Sequence, residues 1–536
     1  MLSYLNSLIL FIRHRHVVKG FKALFLIFLV YFAVRLFLYH YNLITFPYPN
    51  TYREGSLMTT TAMLLHGVKP FSFFLEPQHT NVYGIVYPLI VLPFASLFGV
   101  TLVVFRWVTG FFILASCALI FIFLHKKKTP LLLKLWAILA LYASLLFPVT
   151  STPCVDPAST GLFFMLLTIF IPLFFDYSYR SLIFSSILGC IAFYTKPYFF
   201  LGLPVVVSYL FLFVSKKKSI LFGFWCLILF VLSIILMNHF CPSYFDDCFY
   251  MNYNIAPGAC FMNVLERQLR DFLSINKSLI FILVSAIFYS LVRWCMSVRI
   301  RGSRESFRNC LASSRWTSWE APLISCRLPL EVYAGICSAI VLISFLGRNS
   351  GANLWYFFQL FSPFLVAFIA WLAGQLTVWP IILSSLLIYN LFSLTSDDDY
   401  KYFDKNVKGW HEVELLVKSN KSIFNSPLIA PLMIKENREV FDNGHTEYFV
   451  DGGRRRGIFA RFFEEDKNVY IAQTLFVNKL RNMLDYKMFD LIIIEVGYTS
   501  KVMPDNMANY YKYDHSIWVY VPQDRRLYLL TVWKPN

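Results

Sequence analysis

Four polar groups stand where long apolar runs of the chain end, and their types suit moving a group away from a phosphate. Glu54 follows the first such run, in Tyr52-Arg53-Glu54-Gly55. Asp156 lies in Pro153-Cys154-Val155-Asp156-Pro157, and Lys196 in Tyr194-Thr195-Lys196-Pro197-Tyr198. Arg348 and Asn353 bracket a Gly- and Asn-rich turn later on. An acid takes the proton from an attacking hydroxyl or amine, and fixed cations hold a departing phosphate as its charge grows. Ionisable side chains near membrane depth are costly and mark pathways or sites. Each group also has a plainer reading. Glu54 favours a helix N-terminus through the macrodipole. Asp156 before Pro157 is an N-cap signature. Lys196 is a snorkelling lysine, and Arg348 pairs with a lipid headgroup.

The elements that must position these groups follow from composition. The chain has 536 residues, 57% hydrophobic and only 15% charged, and it repeats apolar runs of about 20 residues, the length of a membrane-spanning helix. Inside a bilayer each backbone polar group must be paired internally, which selects helices. The net charge of +17 sits in blocks between apolar runs. That pattern marks cytoplasmic loops and argues against nucleic acid as a partner. Eleven cysteines are scattered with no CxxC pair, which argues against a zinc framework.

The basic blocks order the spans by the positive-inside rule. Arg13, Arg15 and Lys19 put the N-terminus inside, ahead of an uncleaved signal anchor at about 20–40. Lys126-Lys127-Lys128 is inside only if 101–124 is the second span, which leaves 83–98 interfacial or re-entrant. The stretch from 49 to 93 then carries Glu54 on a short helix against the membrane and roofs the site. Further spans are expected at 131–148, 158–175, 182–194, 198–214, 220–237, 279–296, 330–346, 354–373 and 378–394. The loop 299–327, with six arginines against Glu305 and Glu320, lies inside. With about eleven spans, the positions of Glu54, Asp156, Lys196 and Arg348 all face the outer side. Lys196 there runs against the positive-inside trend, which weighs toward function.

From about residue 396 the composition becomes that of a soluble domain. The pattern predicts an amphipathic helix over 405–419 and strands at 428–434, 489–496, 517–522 and 527–533. The chain therefore divides into a membrane domain, 1–395, and a small outer α/β domain, 396–536. In the outer loop before the eighth span, two of Cys241, Cys248 and Cys260 could pair in an oxidising compartment, or all three could be thiols packed among aromatics. Asp246-Asp247 reads as a solvated acidic turn ahead of a cation site. Asp442, His445 and Glu447 invite a metal reading, but Asp442-Asn443-Gly444 is first a turn.

Several segments resemble the GT-C superfamily of membrane glycosyltransferases, most closely the branch of protein O-mannosyltransferases and the lipid A aminoarabinose transferase. The similar segments, in order, are the acid after span one, the aromatic stretch 71–106 ending in Leu97-Phe98-Gly99 and Arg106, CVDPASTGLFF at 154–164, the Thr195-Lys196 turn, and 353–370. The resemblance covers about residues 15–395. It implies an inverting transfer from a polyprenyl-phosphate sugar to a lipid, glycan or protein acceptor. Glu54 would be the catalytic acid, and Asp156 a second acid orienting a divalent cation or the acceptor. Lys196 and Arg348 would hold the donor phosphate. That branch's Lys-Pro and Asp-Glu pairs are absent here. Asn81 and Tyr83 stand in for the lysine at the donor phosphate, and Tyr52-Arg53 precede Glu54. Tyr52, Asn353 and Tyr356 are carried as substrate contacts. The expected setting is a multi-pass protein of a bacterial inner membrane with its site facing the periplasm. No cofactor is certain, and a divalent cation is admitted. The rival readings are a lipid-linked oligosaccharide polymerase or ligase, and a flippase or transporter of a lipid-linked sugar. A transporter would place polar residues at mid-span and show related halves, and neither is found.

Overall fold

The computed structural model describes residues 15–146 (without 77), 155–251, 328–345, 360–375, 407–446, 450, 467–496, 507–522 and 526–536, with a few positions between 262 and 270. The expected spans at 279–296 and 378–394, the arginine loop 299–327, and the 395/396 boundary lie outside these residues. Among the described residues, the helices ahead of the C-terminal part include α1 (Arg15–Thr45), α2 (Glu54–Leu65), α3 (Val86–Phe98), α4 (Leu102–Lys126), α5 (Leu131–Leu146), α6 (Ala158–Phe174), α7 (Tyr179–Thr195), α8 (Gly202–Phe213), α9 (Lys216–Phe240), α10 (Leu330–Phe345) and α11 (Ser362–Gln375). Stretches Lys19–Thr45, Leu102–Lys126 and Lys216–Phe240 are long and apolar enough to cross a membrane, and several others are shorter apolar helices. The 83–98 stretch is the 13-residue α3 with Pro93 inside it, too short to cross unaided.

Local chemistry sets the ends of these helices. Ser178 Oγ accepts from Ser181 N at the start of α7, and Ser215 Oγ accepts from Lys218 N at the start of α9. His125 and Lys126 close α4, where cations suit the C-terminal dipole. The helices pack around Phe32, Trp136, Leu166, Phe170 and Phe364. Along α9, by contrast, Phe224, Leu227 and Ile235 stay exposed, as side chains that face lipid do.

Helix α2 does not lie open along a membrane surface. Its residues Glu54 to Thr61 are all buried, between α3 and the C-terminal segment. The run Thr59-Thr60-Thr61 tolerates this because each hydroxyl donates to the carbonyl four residues earlier, at 2.9–3.0 Å.

The C-terminal part is an α/β unit: α12 (Val407–Ser419), β1 (Ile423–Asn425), α13 (Ala430–Lys435), α14 (Lys467–Asp485), β2 (Leu491–Glu495), β3 (Tyr511–Val521) and β4 (Arg526–Pro535). The sheet order is β1-β2-β4-β3, with β1 parallel to β2 and the other pairs antiparallel. The expected strand at 428–434 is instead a 3-10 turn running into α13. Two prolines, Pro427 and Pro431, remove ladder donors there, and Ser426 Oγ caps the turn by accepting from Leu428 N. The true strand lies just upstream. Cys241 and Cys248 are free thiols buried among Phe71, Tyr194 and Tyr244, while Cys260 lies outside the described residues.

This unit sits directly on α2 and the 71–85 loop. Gln78 Nε2 donates to Val440 O at 2.8 Å, and Asn443 Nδ2 donates to Thr80 O at 2.8 Å. Gly444 has φ +93°, and a Cβ there would meet Tyr52 O at 2.4 Å. Gly444→Ala should therefore cost on the order of 1–3 kcal/mol, through strain and overpacking at this seam. Limited proteolysis should then release the C-terminal unit faster than from wild type. Unchanged proteolysis and thermal midpoint would show that the seam is not as tight as drawn.

Candidate active site

Glu54 is the first residue of α2, and its side chain is fully buried. The other half of the pair is Arg106, in the first turn of α4 and equally buried. Arg106 Nε and Nη2 donate to Glu54 Oε1 and Oε2 at 2.9 and 2.8 Å. The same carboxylate accepts from Asn50 N at 2.6 Å and from Val155 N at 2.9 Å. The remaining guanidinium donors reach the carbonyls of Leu43, Phe46 and Tyr48. One ion pair thus ties the end of α1, the start of α2, the start of α4 and the approach to α6. In the sequence Arg106 stands out only as the end of a motif. The signal that finds it is a lone arginine in an apolar helix, which needs an acid.

Asp156 and Lys196 form a second, looser pair. Lys196 Nζ is 3.4 Å from Asp156 Oδ1 and 3.5 Å from Oδ2, and both side chains keep 12% exposure. Asp156 Oδ1 also accepts from Ala158 N at 2.6 Å, so the acid caps the start of α6 while facing Lys196. The ammonium lies 4.5 Å from the centre of the Tyr83 ring and 5.6 Å from that of Tyr198. Gly84 makes this approach possible. Its N–H donates to Thr195 O at 3.2 Å, and a Cβ at Gly84 would sit 1.7 Å from Tyr194 O. The 71–85 loop is thereby pressed against the end of α7.

The other expected residues divide. Asn81 is buried, its Nδ2 donating to Thr60 Oγ1 and its Oδ1 accepting from Tyr83 N, so its amide braces the loop. Tyr52 is half-buried, and its hydroxyl accepts from Arg53 Nε at 2.8 Å. Arg348, Asn353, Tyr356 and Glu447 lie outside the described residues. Asp442 accepts from Gly444 N, as a turn requires. Among the described residues no three His, Cys, Asp or Glu side chains converge as metal ligands.

Two groups that the sequence suggested for other roles lie behind and beside this centre. His445 is buried with its ring against Tyr83, the centroids 4.7 Å apart. Burial, with Arg53 and Lys196 nearby, holds its pKa well below the usual histidine range. Asp247 is buried as well, which overturns the solvated-turn reading. It faces Glu76, whose Oε2 accepts from Thr80 Oγ1. Three of the four oxygens of this acid pair have no donor in hydrogen-bond geometry, too few donors for both carboxyls to hold a charge. Burial first, then the neighbouring acid, raises Asp247 well above the carboxylate range, and burial pushes Glu76 up to about 7.

No protein-family model and no curated protein sequence matches the chain. Solved structures do. ArnT from Cupriavidus metallidurans, bound to undecaprenyl phosphate, superposes with a TM-score of 0.51 at 10% identity, over 97% of this chain and 98% of that one. The fold is of the GT-C type. ArnT in its apo state aligns at 10% identity over 96% and 98% of the two chains, with a TM-score of 0.45. The archaeal oligosaccharyltransferase AglB from Archaeoglobus fulgidus, solved with an inhibitory peptide and a dolichol-phosphate, aligns at 10% identity over 94% of this chain and 74% of that one, with a TM-score of 0.43. The GT-C fold accounts for the run of apolar helices followed by an α/β unit.

Within this GT-C fold two outcomes are expected. Glu54→Gln and Arg106→Met should each cost about 3–5 kcal/mol, because each leaves a buried partner uncompensated. The double variant should cost less than the sum, by thermal unfolding in detergent. Simple additivity would show that the two charges do not act as a pair. Glu76 and Asp247 give a pH dependence. Folded protein holds protons that the unfolded chain has released between the ordinary carboxylate range and about pH 7. The stability contributed by Glu76 should therefore fall as pH rises through that window. Glu76→Gln should flatten the decline, and an unchanged slope would place the titration elsewhere.

Proposed function

We propose that the protein transfers a sugar from a polyprenyl-phosphate donor to an acceptor hydroxyl or amine at the extracytoplasmic membrane face, inverting the anomeric centre. The observation that carries this is the Asp156–Lys196 pair. An acid and a cation stand 3.4 Å apart, nearly buried, on the ring of Tyr83. The GT-C fold supports the reading, since ArnT with that fold was solved with undecaprenyl phosphate bound.

The loose geometry of the pair lets each partner turn to a substrate. Lys196 swings from Asp156 to the donor phosphate, and the released carboxylate takes the acceptor proton. The acceptor atom bonds to the anomeric carbon as the bond from that carbon to the phosphate oxygen breaks. The polyprenyl phosphate leaves with the electron pair, and the ammonium stabilises the charge it gains. Asp156 is favoured over Glu54 as the base. Glu54 accepts four hydrogen bonds inside a sealed ion pair, and its part is to frame the site. Arg348 is proposed as a second phosphate cation, with Tyr52, Asn353 and Tyr356 as substrate contacts. No step is routed through a divalent cation, because the donor set among the described residues does not converge on one.

Asp156→Asn should lower transfer by about 10²–10⁴-fold while binding of undecaprenyl phosphate stays within a few-fold of wild type. Lys196→Ala should weaken that binding and lower kcat together, and Lys196→Arg should restore only part. Transfer would be read with a panel of undecaprenyl-phosphate sugars, and binding with undecaprenyl phosphate itself. Wild-type turnover in Asp156→Asn would remove Asp156 as the base. Wild-type lipid binding in Lys196→Ala would move the phosphate elsewhere.

A further inference from the structure

The segment Asp442-Asn443-Gly444-His445-Thr446 reads in sequence as a turn, yet its hydrogen bonds go well beyond closing one. Asn425 Nδ2 donates to Asp442 O at 2.6 Å, and Asn425 Oδ1 accepts from Phe441 N at 2.8 Å. Gly444 N donates to Asp442 Oδ1, and His445 N donates to Asn443 Oδ1 at 2.9 Å. Asn443 N donates to Thr446 Oγ1, and Asn443 Nδ2 crosses to Thr80 O in the membrane part. The turn rests on Tyr52 and Arg53, whose carbonyl and Cα lie 2.4 and 3.5 Å from where a Gly444 Cβ would be. All of this fixes one side chain, the buried imidazole of His445.

That imidazole touches the loop carrying Tyr83 at two points. Its Nδ1 accepts from Val82 N at 3.3 Å. Its ring stands at 81° to the Tyr83 ring, centroids 4.7 Å apart, and the Tyr83 ring takes the Lys196 ammonium at 4.5 Å. Lys196, Tyr83 and His445 thus form a continuous stack from α7 to the C-terminal unit. We propose that His445 is a positioning residue: through Val82 and Tyr83 it sets the place of the Lys196 ammonium for a lipid phosphate. The proposal rests on the reading of Lys196 as the phosphate cation given above.

The choice of histidine follows from the surroundings. A phenylalanine would keep the ring contact but leave the Val82 N–H without its acceptor, which is costly when buried. An acid would cancel the field of Lys196 and Arg53, which an anionic ligand needs. A protonated base would add a third positive charge beside them. Burial, then Arg53, then Lys196 keep this imidazole neutral, so it supports Tyr83 without adding charge. The reach of the C-terminal unit into the site thereby gains a function: donor binding depends on the docking of that unit.

The test is a double-mutant cycle on the full chain in detergent, with undecaprenyl phosphate as the probe and thermal unfolding as the check on folding. His445→Ala should weaken binding about tenfold, and His445→Gln, which keeps a neutral acceptor, should return to within about threefold of wild type. The His445→Ala/Lys196→Ala double variant should bind within about twofold of Lys196→Ala alone, because both changes remove one effect. In parallel, acylation of Lys196 by an amine-reactive ester, followed by peptide mass spectrometry, should change in rate in His445→Ala and not in His445→Gln. If His445→Ala does not fold, the cycle runs with His445→Phe, for which weakened binding is again expected. Additive losses, or wild-type binding in a folded His445→Ala or His445→Phe, would overturn the proposal and leave the Lys196 assignment standing. Wild-type binding in Lys196→Ala would overturn both.

Discussion

Burying a charge in a protein interior is costly unless a partner and hydrogen bonds satisfy it fully. The Glu54–Arg106 pair meets that condition with no group left over. Its carboxylate oxygens accept from two backbone amides as well as the guanidinium, and the guanidinium reaches three carbonyls. These contacts come from the end of α1, the approach to α2, α4 and the approach to α6. Removing either charge frees all four segments at once. The pair does for these helix ends what a metal does in a small domain, fixing loops that have little apolar surface to hold them.

The looser Asp156–Lys196 pair depends on that frame. Val155, whose N–H is held by Glu54, is the residue before Asp156. The position of one acid is therefore handed on to the other through a single peptide unit. On the opposite side, Lys196 is held by the aromatic faces of Tyr83 and Tyr198. A tight pair sets geometry here, and a slack pair stands next to it. Pairs at 3.4 Å are weak as hydrogen bonds and easily exchanged.

The helices were legible in the sequence because apolar runs between basic blocks leave few choices of where a helix begins and ends. Asp156 and Lys196 were legible as groups at helix ends because both stand beside prolines. The partner of Glu54 was not, because only the fold brings Arg106, 52 residues later, to pair with it. The strand at 423–425 was missed because three residues carry no period, and the stretch 428–434 misled because its apolar run holds Pro431, with Pro427 just before it, and both favour a helix start. The acid at 247 looked solvated because nothing local reveals that Glu76, some 170 residues earlier, covers it.

The sheet of the C-terminal unit has a temporal consequence. Strand β1 pairs in parallel with β2, so Ile423 waits for Leu491, and between them lies the turn that carries His445. Strand β4, the last of the four to be synthesised, lies inside the sheet between β2 and β3. Until β4 arrives from the ribosome, β2 and β3 have nothing to join them, and the turn over Tyr83 has no rigid base. Non-local pairing of this kind forms late and slowly. The membrane helices can therefore be inserted and packed while the contacts over Tyr83 remain incomplete, and the protein is assembled from its lipid-facing side outward.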